Sequence, residues 1–171
     1  MEIASSANRL QLLPARFGPR PRSSVSLPFR QLDQFPTADM QRRLLELSLD
    51  LPHVHARQSR LASPQCRALC VDDLAAGGPP EAFIDAHEFC HLHPLPEGYI
   101  HLTLPLSLVE GVHALGWAER HPLHTLGLME SLVMVYAPRD ASEVDVVLRV
   151  IECSARFAMG AAGVAIARSV A

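Results

Sequence analysis

The chain contains no lysine, so all fifteen of its basic residues are arginine. That absence removes the Schiff-base lysine of pyridoxal enzymes and the phosphate-binding lysine of a Walker loop. No glycine-rich dinucleotide fingerprint is present either, so flavin, nicotinamide and ATP chemistry fall away together. There is no run of roughly 18 apolar residues and no compact hydrophobic signal core near the start, which gives a cytoplasmic expectation with no membrane partner. A net charge of -3 supplies no electrostatic ground for binding nucleic acid. Cysteine is scarce, at four residues. Cys66 and Cys70 fall in a strand-like CRALCV segment, about 13 Å apart if extended, too far for a disulfide or a shared metal. Cys90 and Cys153 sit in apolar surroundings and read as small buried hydrophobes.

What is present suits one ordinary domain: 171 residues, of which 49% are hydrophobic, are enough for a core. Residues 1–36 carry five arginines, two acids and several serines, a weakly transit-like composition. Pro14, Pro19, Pro21, Pro28 and Pro36 break any long helix there. An extended, solvated arm is expected, packed in part through Leu27, Phe29 and Leu32. Thr37 reads as the N-cap of a helix whose apolar residues Met40, Leu44, Leu47 and Leu51 recur at helical spacing until Pro52. Short strands follow at 54–59 and 67–71, then a loop at 72–80.

The centre of the domain lies between residues 81 and 104. Residues 81–93 read as one strand or two short ones and 99–104 as another, joined by the PLPEG turn with Gly98 supplying conformational freedom. In a hairpin of this kind side chains alternate, so His91 and His93 share a face, as do Tyr99, His101 and Thr103 on the partner strand. Ile100, Leu102 and Leu104 take the core side. A helix is predicted over 107–115, stopped at Gly116, then an irregular segment from Trp117 to Leu123 and a strand over 131–136. Asp140 and Glu143 form a capping box for a last helix buried through Val144, Val147, Leu148 and Ile151. The order implies an α+β domain over 37–159, a mostly antiparallel sheet with helices on one face, and a small-residue tail over 160–171.

Imidazole titrates near neutral pH, so converging histidines suit proton transfer to and from an acidic enol or phenol. The same atoms suit zinc, iron or copper, which makes a metal at the histidine cluster the rival reading. Glu88 has the opposite parity from His91, so a regular strand points it away and removes the obvious carboxylate. His53, His55, His87, His113 and His124 are taken as surface or structural residues.

The series EFCHLHP, YIHLTLP, GWAERHPL and VMVYAPRD before a valine-rich helix resembles the fungal luciferase family, whose reaction is oxidation of 3-hydroxyhispidin. The likeness implies a cofactor-independent oxygenase, carries no requirement for a metal, and makes O2 the co-substrate in a reaction on a small enolic or aromatic, hydroxy-pyrone-like ligand. His91, His93, His101 and His121 would then be catalytic, with Arg139 steadying the developing peroxide and Trp117, Arg120 and Tyr136 binding substrate. Each has a plainer role: His121 can satisfy backbone groups of its turn, Arg139 can pair at a helix start, and Trp117 and Tyr136 can be core. Two features depart from the family. Its membrane-anchoring N-terminal segment is replaced by the arginine-rich arm, and Pro94, Leu95 and Pro96 stand where the luciferases carry a polar stretch with a further histidine. The alternatives are a non-catalytic small-molecule binding protein and a metal-dependent enzyme.

Overall fold

The computed structural model describes residues 13–160. Residues 1–12 of the expected arm and 161–171 of the expected tail lie outside it. The chain forms a six-stranded sheet in the order β1-β2-β3-β4-β6-β5, every pairing antiparallel, with helices packed against it. Strands β1 (Val54–Gln58), β2 (Arg67–Val71), β3 (Glu88–Leu92), β4 (Ile100–Thr103), β5 (Ala118–Arg120) and β6 (Leu132–Val135) alternate with helices α1 (Ala38–Leu49), α2 (Leu106–Ala114), the one-turn α3 (Pro122–Thr125) and α4 (Ala141–Ala158). This is the α+β arrangement that the hydrophobic periodicity implies.

Each long helix begins where its sequence supplies a cap. The Thr37 hydroxyl accepts the Met40 N–H at 3.3 Å, and α1 buries Leu44. Asp140 accepts the Glu143 N–H at 2.9 Å at the start of α4. The predicted capping box forms only in this half. The Glu143 carboxylate turns instead to the Arg139 N–H at 2.8 Å and to the guanidinium of Arg139. Val144, Val147, Val150 and Ile151 of α4 then meet Leu44, Leu69, Val71, Leu102 and Leu108 in one core. Each such side chain contributes about 1.5–3 kcal/mol on burial.

Two expectations need correction. The stretch 81–93 holds only one strand, 88–92, preceded by a 3-10 turn at Pro80–Ala82. The segment from Trp117 to Leu123, expected to be irregular, contains β5, which is short because only three residues align on β6 before His121 caps α3.

The described part of the arm crosses the sheet face opposite the helices. Phe29 is buried there beside Tyr99, Met134 and Tyr136. Leu27 and Leu32, expected to pack, are exposed. Polar groups fasten the arm in their place. Gln31 is fully buried, accepting the Ala137 N–H at 2.9 Å and donating to the Asp33 and Gln34 carbonyls. Arg16, also buried, lies 3.7 Å from the Glu143 carboxylate and donates to Gln34 at 3.1 Å. Trp117 donates from its indole to the Pro14 carbonyl at 2.6 Å.

Glu143 therefore serves two arginines, one of them without access to water. Glu143→Ala should destabilise the fold by about 3–5 kcal/mol, since it strands a buried charge. Arg139→Ala, at a half-exposed position, should cost about 1 kcal/mol or less. Urea denaturation of the two variants measures both, and a Glu143→Ala loss under about 0.5 kcal/mol would show that the arm is held by other contacts.

Candidate functional site

The hairpin of β3 and β4 places His91 directly opposite His101 and Leu92 opposite Ile100. His93 lies just past β3, its N–H donating to the Tyr99 carbonyl at 2.9 Å and its own carbonyl accepting Gln41 of α1 at 2.5 Å. Gly98 closes the turn at φ +63°, and a Cβ there would come within 2.4 Å of Pro36 in the arm. The turn is thus locked from outside as well as by its own backbone.

The consequence is a cluster of imidazoles. His91 Nε2 and His93 Nε2 each lie 3.3 Å from His101 Nδ1. One ligand atom from each of the three falls within 4.8 Å of the others, so the trio could hold a metal ion. The His121 ring stands edge-on to His101 at 5.0 Å and edge-on to Phe29 at 5.5 Å, and its Nδ1 also accepts the Leu123 N–H at 3.2 Å. It caps α3 and borders the cluster at once.

Glu88 corrects the parity argument. The β2–β3 register slips between Leu69 and Cys70, so that Cys90 pairs with Leu69 but Glu88 pairs with Cys70. The extra residue, Phe89, is a bulge that turns the strand by one side-chain position. Glu88 therefore shares the histidine face. Its carboxylate lies 2.7 Å from His91 Nδ1 and accepts the Ser59 hydroxyl at 3.0 Å. A carboxylate can only accept, so His91 carries a proton on Nδ1, and its Nε2 faces His101 Nδ1.

His93, His101 and His121 are kept neutral. Burial, then the neighbouring His91, lowers His93 to about 3 and His121 to about 4. Burial first, then His91, His93 and His121, pushes His101 well below its ordinary value. His93 stacks on Tyr99 with ring centres 4.0 Å apart, and its Nδ1 is 3.5 Å from the Cys66 sulfur. Burial raises the Tyr99 and Cys66 pKa values, which keeps both uncharged.

Above the cluster is a cavity of about 510 Å³, with His91, His93, His101 and His121 in its lining. Phe29, Tyr99, Ile84 and Leu132 wall it, and it opens past the exposed Leu27 and Leu61. Its size falls in the ~300–1,000 Å³ range of small-molecule sites. Arg30 of the arm and Glu97 of the hairpin turn also line it, paired at 3.2 Å.

The structure brings together four of the eight residues assigned to the site from sequence. The other four do not line this cavity. Arg139 is held by Glu143, Gln34 and the Phe17 carbonyl. Arg120 turns to Glu110 and to His124, 2.6 Å away. Trp117 is core, the Tyr136 hydroxyl is bound to Glu119, and the Arg16 guanidinium lies over the Tyr136 ring. The arginine in the lining is Arg30, together with Tyr99 and Glu97, and Glu88 stands behind His91; none of the four had been given a role from sequence. Of the five other histidines, His55 and His87 pair with Asp72 and Asp73 on the surface.

Comparison with known proteins covers this same region. Residues 86–154 match the family model of the Luciferase domain. The chain is similar to luciferases of Armillaria ostoyae, at 29% identity over 159 residues, and of Armillaria mellea, at 30% over 160. A luciferase of Armillaria gallica is similar at 29% over 159 residues. Each likeness covers 83% of this chain and 59% of the relative, so the chain spans about three-fifths of the length of these proteins. No solved structure matches. Residues 86–154, which match the Luciferase domain model, contain the histidine cluster.

The Glu88–His91 contact is open to direct measurement. A double-mutant cycle of Glu88→Ala and His91→Ala, read by chemical denaturation, should give a coupling of about 1–3 kcal/mol, as expected for a buried charged hydrogen bond. A coupling near zero would mean that Glu88 does not hold His91 in solution.

Proposed function

We propose that the chain is a luciferase-like oxygenase that takes a small, flat, enolic or aromatic compound of the hydroxy-pyrone type onto its histidine floor and lets the ionised compound react with O2. The observation that carries this reading is a ligand-sized cavity floored by four histidines of residues 86–154, three of them buried and His93 half-buried. The enol O–H is received by His91, the histidine of the floor whose ring Glu88 positions. That imidazole is the base of the reaction as the chain alone supplies it. Loss of the proton leaves an electron-rich ring carbon. A bond forms from this carbon to O2, and the electron pair of the enolate reduces the oxygen to a carbon-bound peroxide, so no external reductant enters. Phe29 and Tyr99 give the flat face its contacts. Positive charge at the rim comes from Arg30, in place of the Arg139 and Arg120 that the sequence suggested.

Oxygen uptake and equilibrium binding, measured with a 3-hydroxy-pyrone, separate catalysis from simple binding. His91→Gln and His93→Gln should lower turnover by about 10²-fold or more while affinity changes little. His53→Gln, on the exposed surface, should leave both unchanged. Tight binding by the wild-type chain with no oxygen consumed between about pH 5 and 9 would eliminate the oxygenase and leave a binding module.

A further inference from the structure

We infer that His91 Nε2, His93 Nε2 and His101 Nδ1 are the protein ligands of a divalent first-row transition-metal ion, with Glu88 orienting His91 behind them. The first argument is distance. An ion ~2.0–2.1 Å from each of two nitrogens at a tetrahedral angle holds them roughly 3.3–3.4 Å apart. Both nitrogen pairs that meet at His101 are separated by 3.3 Å.

The second argument is a count of protons. Glu88 holds a proton on His91 Nδ1, so a neutral His91 presents a bare lone pair at Nε2. If His101 carries its proton on Nδ1, His91 and His93 compete for that one hydrogen. If it carries it on Nε2, two lone pairs face each other at 3.3 Å inside the protein. Hydrogen bonds within the trio therefore leave nitrogens competing or opposed in either His101 tautomer, whereas a cation at His91 Nε2, His93 Nε2 and His101 Nδ1 accepts all three lone pairs.

Donor chemistry selects the ion. Three imidazoles without an oxygen ligand suit zinc, iron, cobalt, nickel or copper and give magnesium or calcium little purchase. The Cys66 sulfur lies against Nδ1 of His93, on the far side of the ring from the converging nitrogens, and stays outside the set. The Glu88–His91 contact is the carboxylate–histidine pairing that raises ligand basicity and fixes ring orientation in such sites. All three histidines line the cavity, so a ligand there would lie beside a bound ion. What the ion does there rests on the oxygenase reading: it takes the enol oxygen, replacing the bare His91 lone pair in that task.

The test uses the full chain, purified without an affinity tag, stripped with chelator, then dialysed against zinc(II) or cobalt(II). Elemental analysis should find one ion per chain, and cobalt should give the visible absorption of a low-coordinate nitrogen site. His93→Ala should abolish stoichiometric binding, and Glu88→Gln should weaken it about 10- to 100-fold while one ion still binds at saturation. His53→Ala should bind as wild type. Circular dichroism confirms that each variant folds, and the conservative Glu88→Gln covers the case in which His93→Ala does not. A folded wild-type chain that retains far less than one ion, or equal retention by wild type, His93→Ala and Glu88→Gln, overturns the site. Oxygen uptake undiminished by stripping also overturns it, with the oxygenase left standing. One bound ion with no oxygen uptake supports the metal centre and removes only the oxygenase.

Discussion

A single backbone irregularity, the bulge at Phe89, decides what this sheet face can do. In a regular strand Glu88 would enter the apolar core, where an unpaired carboxylate costs several kcal/mol. The bulge delivers it to the opposite face, where His91 and Ser59 satisfy it. Ser59 accepts the Ala62 N–H in turn, and Ala62 belongs to the loop lining the cavity with Leu61 and Ser63. One carboxylate thereby links the floor of the site to part of its wall. Phe89 goes the other way, into the core beside Leu69 and Val71.

The sheet is built with two unlike faces. One meets α1, α2 and α4 in an ordinary aliphatic core. The other carries polar and aromatic groups that would be costly to bury unpaired, and the arm covers them with matching polar groups. Gln31 is the clearest case, since its amide replaces a missing strand neighbour for Ala137 while tying down its own loop. Phe29 and Arg30 follow from this anchoring. They reach the cavity because residues on either side are fixed to the sheet, so the stability of the arm and the shape of the site are one property.

Much of this was legible in the sequence because it depends on period alone. Alternation along EFCHLHP and YIHLTLP places His91, His93 and His101 together, and helical spacing with caps at Thr37 and Asp140 locates α1 and α4. The parts that period does not encode were misread. A bulge shifts parity by one without any compositional sign, so Glu88 was assigned to the wrong face. Arg139 is close in sequence to aromatic and acidic residues that looked like a site, yet Glu143, one helical turn on, captures its guanidinium. Arg30 sits in a proline-rich arm whose partners are more than sixty residues away, as with Glu97. Long-range polar pairing of this kind leaves no local pattern to read.

The character of the floor sets a condition on any anion formed there. Neutral imidazoles offer hydrogen bonds but no net charge, and the arginine in the cavity lining is already paired with Glu97 at the rim. An enolate moved from water onto such a floor loses hydration that neutral groups replace only in part. A positive charge at the floor is therefore required for the enol to ionise readily. Two sources exist: the imidazolium that forms on His91, beside Glu88, when it takes the enol proton, and a cation held by the lone pairs of His91, His93 and His101. Burial opposes an imidazolium at His93, His101 and His121 but not a cation, because neutral imidazole is the form that binds metal. The physical requirement of the proposed reaction and the unsatisfied lone pairs of the trio thus converge on the same three nitrogens.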